Sequence, residues 1–130
     1  MAHWTDRYLG ISHKRLDCAE LVELVLRERY GRNIQFPRRE RNDIFHRAAL
    51  IAAHAHDYAR PLESHETPYD GCGVLVLSRG RLAHVALYCD VAGQPSILHS
   101  DSFFGQSVLL PLWRVVPPRF RIEGFYAWLD

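Results

Sequence analysis

The chain has 130 residues, of which 48% are hydrophobic and 24% charged, and its formal charge is +1. This length fits a single domain over residues 1–130, and the balanced charge argues against a nucleic-acid binder, which normally shows a strong basic excess. No apolar run approaches the roughly 18 residues of a membrane-spanning helix, and the N-terminus lacks a signal-peptide stretch, so we expect synthesis in the cytosol and no membrane span.

The first predicted element is a helix from Cys18 to Tyr30. Apolar side chains in this stretch recur at the three- and four-residue spacing of one helical face. Asp17 is a good N-cap residue, and Glu20 follows it at the position that a capping box requires. Gly31 comes after the last periodic residue and suits the C-terminal cap.

A second helix is predicted over residues 43–59, where an alanine-rich stretch follows a capping residue. Pro61 is expected to close this helix, because proline cannot continue one. The segment from Pro61 to Gly73 contains prolines, glycines and polar residues, and it is typical of a loop.

Short apolar runs separated by turns follow Gly73 and predict about five strands. Their expected ranges are 74–77, 82–89, 96–99, 108–113 and 121–128. Helices followed by a run of strands indicate an α+β domain, in which the N-terminal helices pack on an antiparallel sheet.

The three cysteines cannot all pair within one chain, so at least one thiol is not in a disulfide. Cys18 is the candidate for chemistry because it opens the first predicted helix, where exposed N–H groups and the helix dipole favour a thiolate. The carboxylates of Asp17 and Glu20 act against a thiolate, so activation would need a histidine partner. The alternative is that Cys18 is a small core residue, the commoner fate of a cysteine outside a disulfide.

Two histidines on successive predicted strands are the candidate base and its orienting partner. Strand alternation puts His84 on one face with Ala86 and Tyr88, and an imidazole there can serve as a general base. His99 ends the next strand, where a hairpin could bring it beside His84. The alternative for His84 is an ordinary hydrogen-bonded or solvent-facing histidine.

The remaining histidines do not form a metal-binding pattern. Those in the second predicted helix are badly spaced for one metal ion, and His3, His13 and His65 lie in polar segments that we expect to be exposed. The chain also lacks a Cys-x-x-Cys pair. We therefore expect no metal and no cofactor.

The order Asp17-Cys18, then His84-Val85-Ala86-Leu87-Tyr88, then Leu98-His99 resembles the NlpC/P60 family of cysteine peptidases. That family reads D-C-S-G-[FL]-V at its nucleophile, H-V-G-I-Y at its histidine strand, and a histidine or an amide on the next strand. The resemblance implies a papain-like α+β fold and hydrolysis of peptide bonds in bacterial peptidoglycan, with the stem peptide as substrate. It also implies that Cys18, His84 and His99 are catalytic.

The family often places a tyrosine about a dozen residues before the cysteine, where it helps to hold the oxyanion. The resemblance implies this role for Tyr8, whereas matching without a gap would put Arg7 at the family's position. The backbone N–H of Cys18 is another candidate donor, since helix N-termini point such groups outward. Lipid-modifying relatives carry histidine before cysteine, and the opposite order here disfavours an acyltransferase.

Residues 4–10, 28–31, 36–37 and 122–126 are similar to short family members from phage tail gene clusters. This similarity implies a tail-tip component that is made in the host cytoplasm, binds tail hub or tail-tip proteins, and acts in the cell envelope. Two departures from the family pattern stand out. Ala19-Glu20 replaces the Ser-Gly pair, and Gly71-Cys72-Gly73 lacks the usual acid. They favour an alternative function, a structural tail assembly protein with a vestigial or dispensable site.

Overall fold

The computed structural model describes residues 3–36, 57–78, 81–100, 104–117 and 119–129. These residues form an α+β arrangement of one α-helix and a six-stranded sheet. The elements are the helix α1 (Cys18–Tyr30) and the strands β1 (Ala59–Pro61), β2 (Gly73–Ser78), β3 (Arg81–Val91), β4 (Gln94–Ser100), β5 (Ser107–Pro111) and β6 (Arg121–Trp128). Short 3-10 helices occupy Trp4–Tyr8 and Leu112–Arg114. Within the described part of the chain, no helix is long and apolar enough to cross a bilayer.

The helix α1 has the ends that the sequence predicts. The Asp17 side chain accepts a hydrogen bond from the Glu20 backbone N–H at 2.9 Å, and the Glu20 carboxylate accepts one from the Asp17 N–H at 3.2 Å. This reciprocal pair satisfies two of the backbone donors that a helix N-terminus leaves without helical partners. Gly31 ends the helix in the left-handed conformation at φ 65°, which glycine adopts without steric cost.

The sheet is antiparallel throughout and has the strand order β1-β6-β2-β3-β4-β5. Its outer strand β5 is covered by the segment before α1. Gly10 donates its backbone N–H to the Ser107 carbonyl, Ser107 donates to the Ile11 carbonyl, and Ser12 forms a bridge with Gln106. The main-chain groups on this edge of the sheet are therefore partly paired within the chain itself.

Two hydrophobic clusters lie on the two faces of the sheet. The first joins α1 to the strands, with Val85, Leu87 and Leu98 among its members. The second includes Ala86 and Phe120. The side chains of β3 thus alternate between the clusters as predicted, and α1 packs against β3 and β4 over the first cluster.

Some predicted boundaries are wrong. The predicted second helix lies mostly in residues 37–56, outside the described residues, but its expected end at Ala59 is instead the start of β1. Pro61 is the last residue of this strand, paired with Tyr126 of β6, and a proline is tolerated there because β1 is an edge strand. The sheet therefore has six strands and not five.

The other predicted strands are confirmed with modest changes of length. The ranges 74–77, 82–89 and 96–99 lie within β2, β3 and β4, and the range 121–128 coincides with β6. The range 108–113 is too long at its C-terminal end. The strand β5 stops at Pro111, and the next three residues turn into a 3-10 helix.

Candidate functional site

The start of α1 lies at the end of the sheet that carries the two candidate histidines. The Ser100 hydroxyl donates a hydrogen bond of 2.9 Å to the carbonyl oxygen of Leu16, two residues before Cys18. Cys18 also belongs to the same hydrophobic cluster as Val85. Since Ser100 follows His99 and Val85 follows His84, the nucleophile candidate and both histidines occupy one end of β3 and β4.

His84 and His99 contact each other directly. Nδ1 of His99 lies 3.0 Å from Nε2 of His84, and the rings are stacked with their centroids 4.9 Å apart. Both side chains are buried, at 4% and 0% exposure. The β3–β4 hairpin produces this pairing, because its register aligns Leu87 with Leu98 and so brings the two histidines to neighbouring positions on one face.

An irregularity in β3 lies immediately before His84. Val76 of β2 pairs with His84, but the next residue, Leu77, pairs with Leu82. Ala83 is therefore an extra residue on β3, a β-bulge that bends the strand and changes the direction of neighbouring side chains. The bulge is a local feature that can set the direction of the His84 ring.

Burial controls the protonation of His99. Desolvation lowers the pKa of His99 to about 4, so His99 is neutral near pH 7. A neutral imidazole has one donor and one acceptor nitrogen. If Nδ1 of His99 is the acceptor, Nε2 of His84 donates to it, and Nδ1 of His84 is then the basic nitrogen of that ring.

Two phenylalanines form the apolar surroundings of the pair. The rings of Phe104 and Phe120 each stand edge-on to His99 with centroids 5.8 Å away. Phe120 also stands edge-on to His84 at 5.8 Å. These contacts remove water from the imidazoles, which explains the lowered pKa of His99.

The thiol and the imidazoles approach this end of the sheet from different sides. Cys18 is 6% exposed and packs in the first cluster, whereas the rings contact Phe120 of the second cluster. The thiol and the two rings therefore pack on different faces of the sheet at this end.

His13 contributes a contact that sequence analysis missed. Instead of lying exposed in a polar segment, it is partly buried, and its Nδ1 is 3.2 Å from the Ser100 hydroxyl. Because that hydroxyl donates to Leu16, it accepts from the His13 Nδ1–H. The network joins the segment before Cys18 to the end of β4.

Tyr8 lies at the other end of the helix from Cys18. Its hydroxyl donates a hydrogen bond of 2.9 Å to Glu28, which is ten residues after Cys18 and so about 15 Å along the helix axis. Tyr8 is also buried in the first cluster. The structure thus gives this hydroxyl a packing role and corrects the expectation of an oxyanion contact.

The other two cysteines have environments that oppose thiolate chemistry. Burial raises the pKa of Cys72 to about 11, and burial together with the nearby Asp70 carboxylate raises the pKa of Cys89. Both thiols stay protonated near neutral pH and are poor nucleophiles. Cys18, at a helix N-terminus, remains the cysteine whose position suits a nucleophile.

A groove of about 520 Å³ adjoins the histidine pair. Phe104 and Phe120, which contact His99, also form part of its wall. The rest of the wall comes from β5 and from the connection between β5 and β6, namely Leu110, Trp113, Arg114, Val116, Pro117 and Arg119. All of these residues fall within residues 104–120, but sequence analysis did not identify the groove, because its shape depends on how this connection folds back beside β5.

Among the residues that the structure describes, no group of three or more His, Cys, Asp or Glu side chains is arranged to hold a metal ion. Comparison with known proteins gives no family for the fold or for the site: no family model, no curated protein and no solved structure shows significant similarity to this chain.

Proposed function

We propose that the protein is a cysteine peptidase in which Cys18 is the nucleophile, His84 the general base and His99 the residue that orients His84. One observation carries this proposal: a buried hydrogen bond of 3.0 Å joins His84 to His99 at the end of the sheet where α1 begins. A base held by a second side chain is part of the arrangement that covalent catalysis requires, and the helix that carries the candidate nucleophile begins at the same end of the sheet.

The proposed reaction begins with transfer of the Cys18 thiol proton to Nδ1 of His84. The thiolate attacks the carbonyl carbon of the scissile amide, and the Cys18 backbone N–H donates to the oxyanion that forms. The His84 imidazolium then protonates the leaving amine, which gives a thioester on Cys18. Water, deprotonated by His84, hydrolyses the thioester and restores the thiol. General acid–base assistance of this kind typically contributes about 10²–10⁴-fold.

His99 acts in this scheme through its neutral form. When His84 gains a proton, Nε2–H of His84 donates to Nδ1 of His99, and this hydrogen bond stabilises the imidazolium. The lowered pKa of His99 supports this role, because a charged His99 would repel a charged His84.

The substrate and setting that we propose follow from the resemblance to the NlpC/P60 family. The order Asp17-Cys18, His84-Val85 and Leu98-His99 supports a papain-like fold and cleavage of peptide bonds in the peptidoglycan stem peptide. Similarity to short phage tail members supports a tail-tip component that is made in the host cytoplasm, is bound by tail hub proteins and acts in the cell envelope.

A structural tail protein is the second candidate function, and two observations favour it. Cys18 is largely buried among apolar side chains. The carboxylate of Glu20 is held at the helix start by the Asp17 N–H, where its negative charge opposes formation of a thiolate. In this function the Cys/His site would be dispensable for assembly.

Mass spectrometry of peptides released from purified peptidoglycan distinguishes the two functions. We expect the wild-type protein to release new amino termini, and Cys18→Ala and His84→Ala to abolish release while keeping the circular dichroism spectrum. Cys72→Ala is the matched control, since it also removes a buried thiol but should retain cleavage. Cleavage by Cys18→Ala would refute the proposed mechanism, and an inactive wild type that still joins tail particles would favour the structural function.

A further inference from the structure

We infer that the groove beside the histidine pair binds a carboxylate group of an extended peptide, with Arg114 as the side chain that recognises its charge. This inference rests on the proposed peptidase function and names a feature of the substrate that the function leaves open. It depends on where the groove lies, which side chains form it and which charges they carry.

The position of the groove connects it to the imidazoles. Phe104 and Phe120 form part of its wall and also stand edge-on to His99 at 5.8 Å. A chain lying in the groove would therefore contact the two phenylalanines that pack on His99. A groove of about 520 Å³ has the size of a typical ligand site, which suits a few residues of extended peptide.

The exposed side chains of the groove favour binding over simple packing. Trp113 is 69% exposed and Val116 is 52% exposed, although large apolar residues normally bury their surface. Both belong to the wall of the same groove. Tryptophan beside arginine is a combination enriched where binding energy concentrates at protein interfaces.

The charge of the groove selects an anion. Its described wall residues include Arg114 and Arg119 and no acidic side chain. The guanidinium group offers paired N–H donors that match the two oxygens of a carboxylate. The surrounding apolar wall suits the aliphatic part of a peptide, so an acidic peptide complements this surface better than a neutral one does.

Isothermal titration calorimetry with Cys18→Ala protein tests the inference without turnover, and Cys18→Ser is the second background if alanine impairs folding. The probes are a stem tetrapeptide with free carboxylates and the same peptide with those groups converted to amides. We expect the free acid to bind about fivefold more tightly at low salt, the scale of an exposed charge pair. Arg114→Gln should remove the difference. Arg27→Gln should keep it, because it makes the same charge change on an exposed residue elsewhere.

The outcomes separate this inference from the proposed function. Equal binding of the two probes, or a preference that survives Arg114→Gln, would overturn the carboxylate site. Peptide cleavage by the wild type, together with equal binding of the two probes, would support the peptidase function and refute the carboxylate site. If Arg114→Gln removes the preference for the free-acid probe but the wild type cleaves no peptide, the carboxylate site is supported and the peptidase function is refuted.

Discussion

Replacement of His99 by glutamine should change how stability depends on pH. The pKa of His99 falls from about 6.5 in the unfolded chain to about 4 in the folded protein, because burial disfavours the charged ring. Between these values the unfolded chain binds more protons than the folded protein. The free energy of unfolding therefore decreases as the pH falls from about 6.5 to about 4.

The size of this effect follows from the shift. Each pKa unit corresponds to about 1.36 kcal/mol, so a change from 6.5 to about 4 amounts to roughly 3 kcal/mol of stability lost on acidification. This is a large share of the roughly 5–15 kcal/mol that stabilises a typical domain. Glutamine has no titrating group and can still accept a hydrogen bond from His84.

Urea denaturation followed by tryptophan fluorescence at several pH values between 4 and 7 measures the effect. The wild type should lose roughly 3 kcal/mol more than His99→Gln over this window, whatever the offset between the two proteins at pH 7. His65→Gln is the control, since His65 is exposed, and it should follow the wild type. Parallel curves for the wild type and His99→Gln would refute the assignment of a neutral, desolvated His99.

Three further changes test local features of the molecule. Asp17→Ala removes the side chain that caps α1 and should lower the free energy of unfolding by about 1 kcal/mol in urea titrations; an unchanged midpoint would contradict the capping role. Glu20→Gln keeps a capping side chain but removes its charge, so alkylation of the Cys18 thiol by iodoacetamide near pH 7 should become a few-fold faster; an equal or slower rate would show that the carboxylate does not hold back the thiolate. Gly73→Ala would place a Cβ 2.8 Å from the Trp128 ring, and thermal unfolding should reveal a loss of about 1–3 kcal/mol; a neutral substitution would mean that the ring can move aside.

Much of the fold could be predicted because its signals are local. The helix α1 carries its own start and stop signals in Asp17, Glu20 and Gly31, and its bounds agree with the prediction. The strand β6 begins after a proline pair, and its bounds also agree with the prediction. By contrast, β1 has three residues, and it is a strand because it pairs with the end of β6. No local pattern reveals such a distant pairing, so the alanine-rich stretch before it suggested helix instead.

The candidate site was predictable in part for the same reason. His84 and His99 stand on strands joined by a short turn, so their meeting followed from alternation and hairpin pairing. The contact of His13 with Ser100 spans 87 residues of sequence, and nothing in either segment indicates it. The bulge before His84 likewise depends on the register between β2 and β3 and not on residue types.

The covering of β5 by the segment before α1 restricts how another molecule can join this sheet. Gly10 and Ile11 already use the main-chain groups of Ser107, so an incoming strand could extend this side only by displacing the chain that leads to the Cys18 helix. The opposite border, β1, offers three residues and ends in a proline that cannot donate. A protein that assembles with this one is thus directed toward side-chain recognition on its surfaces and away from shared strands.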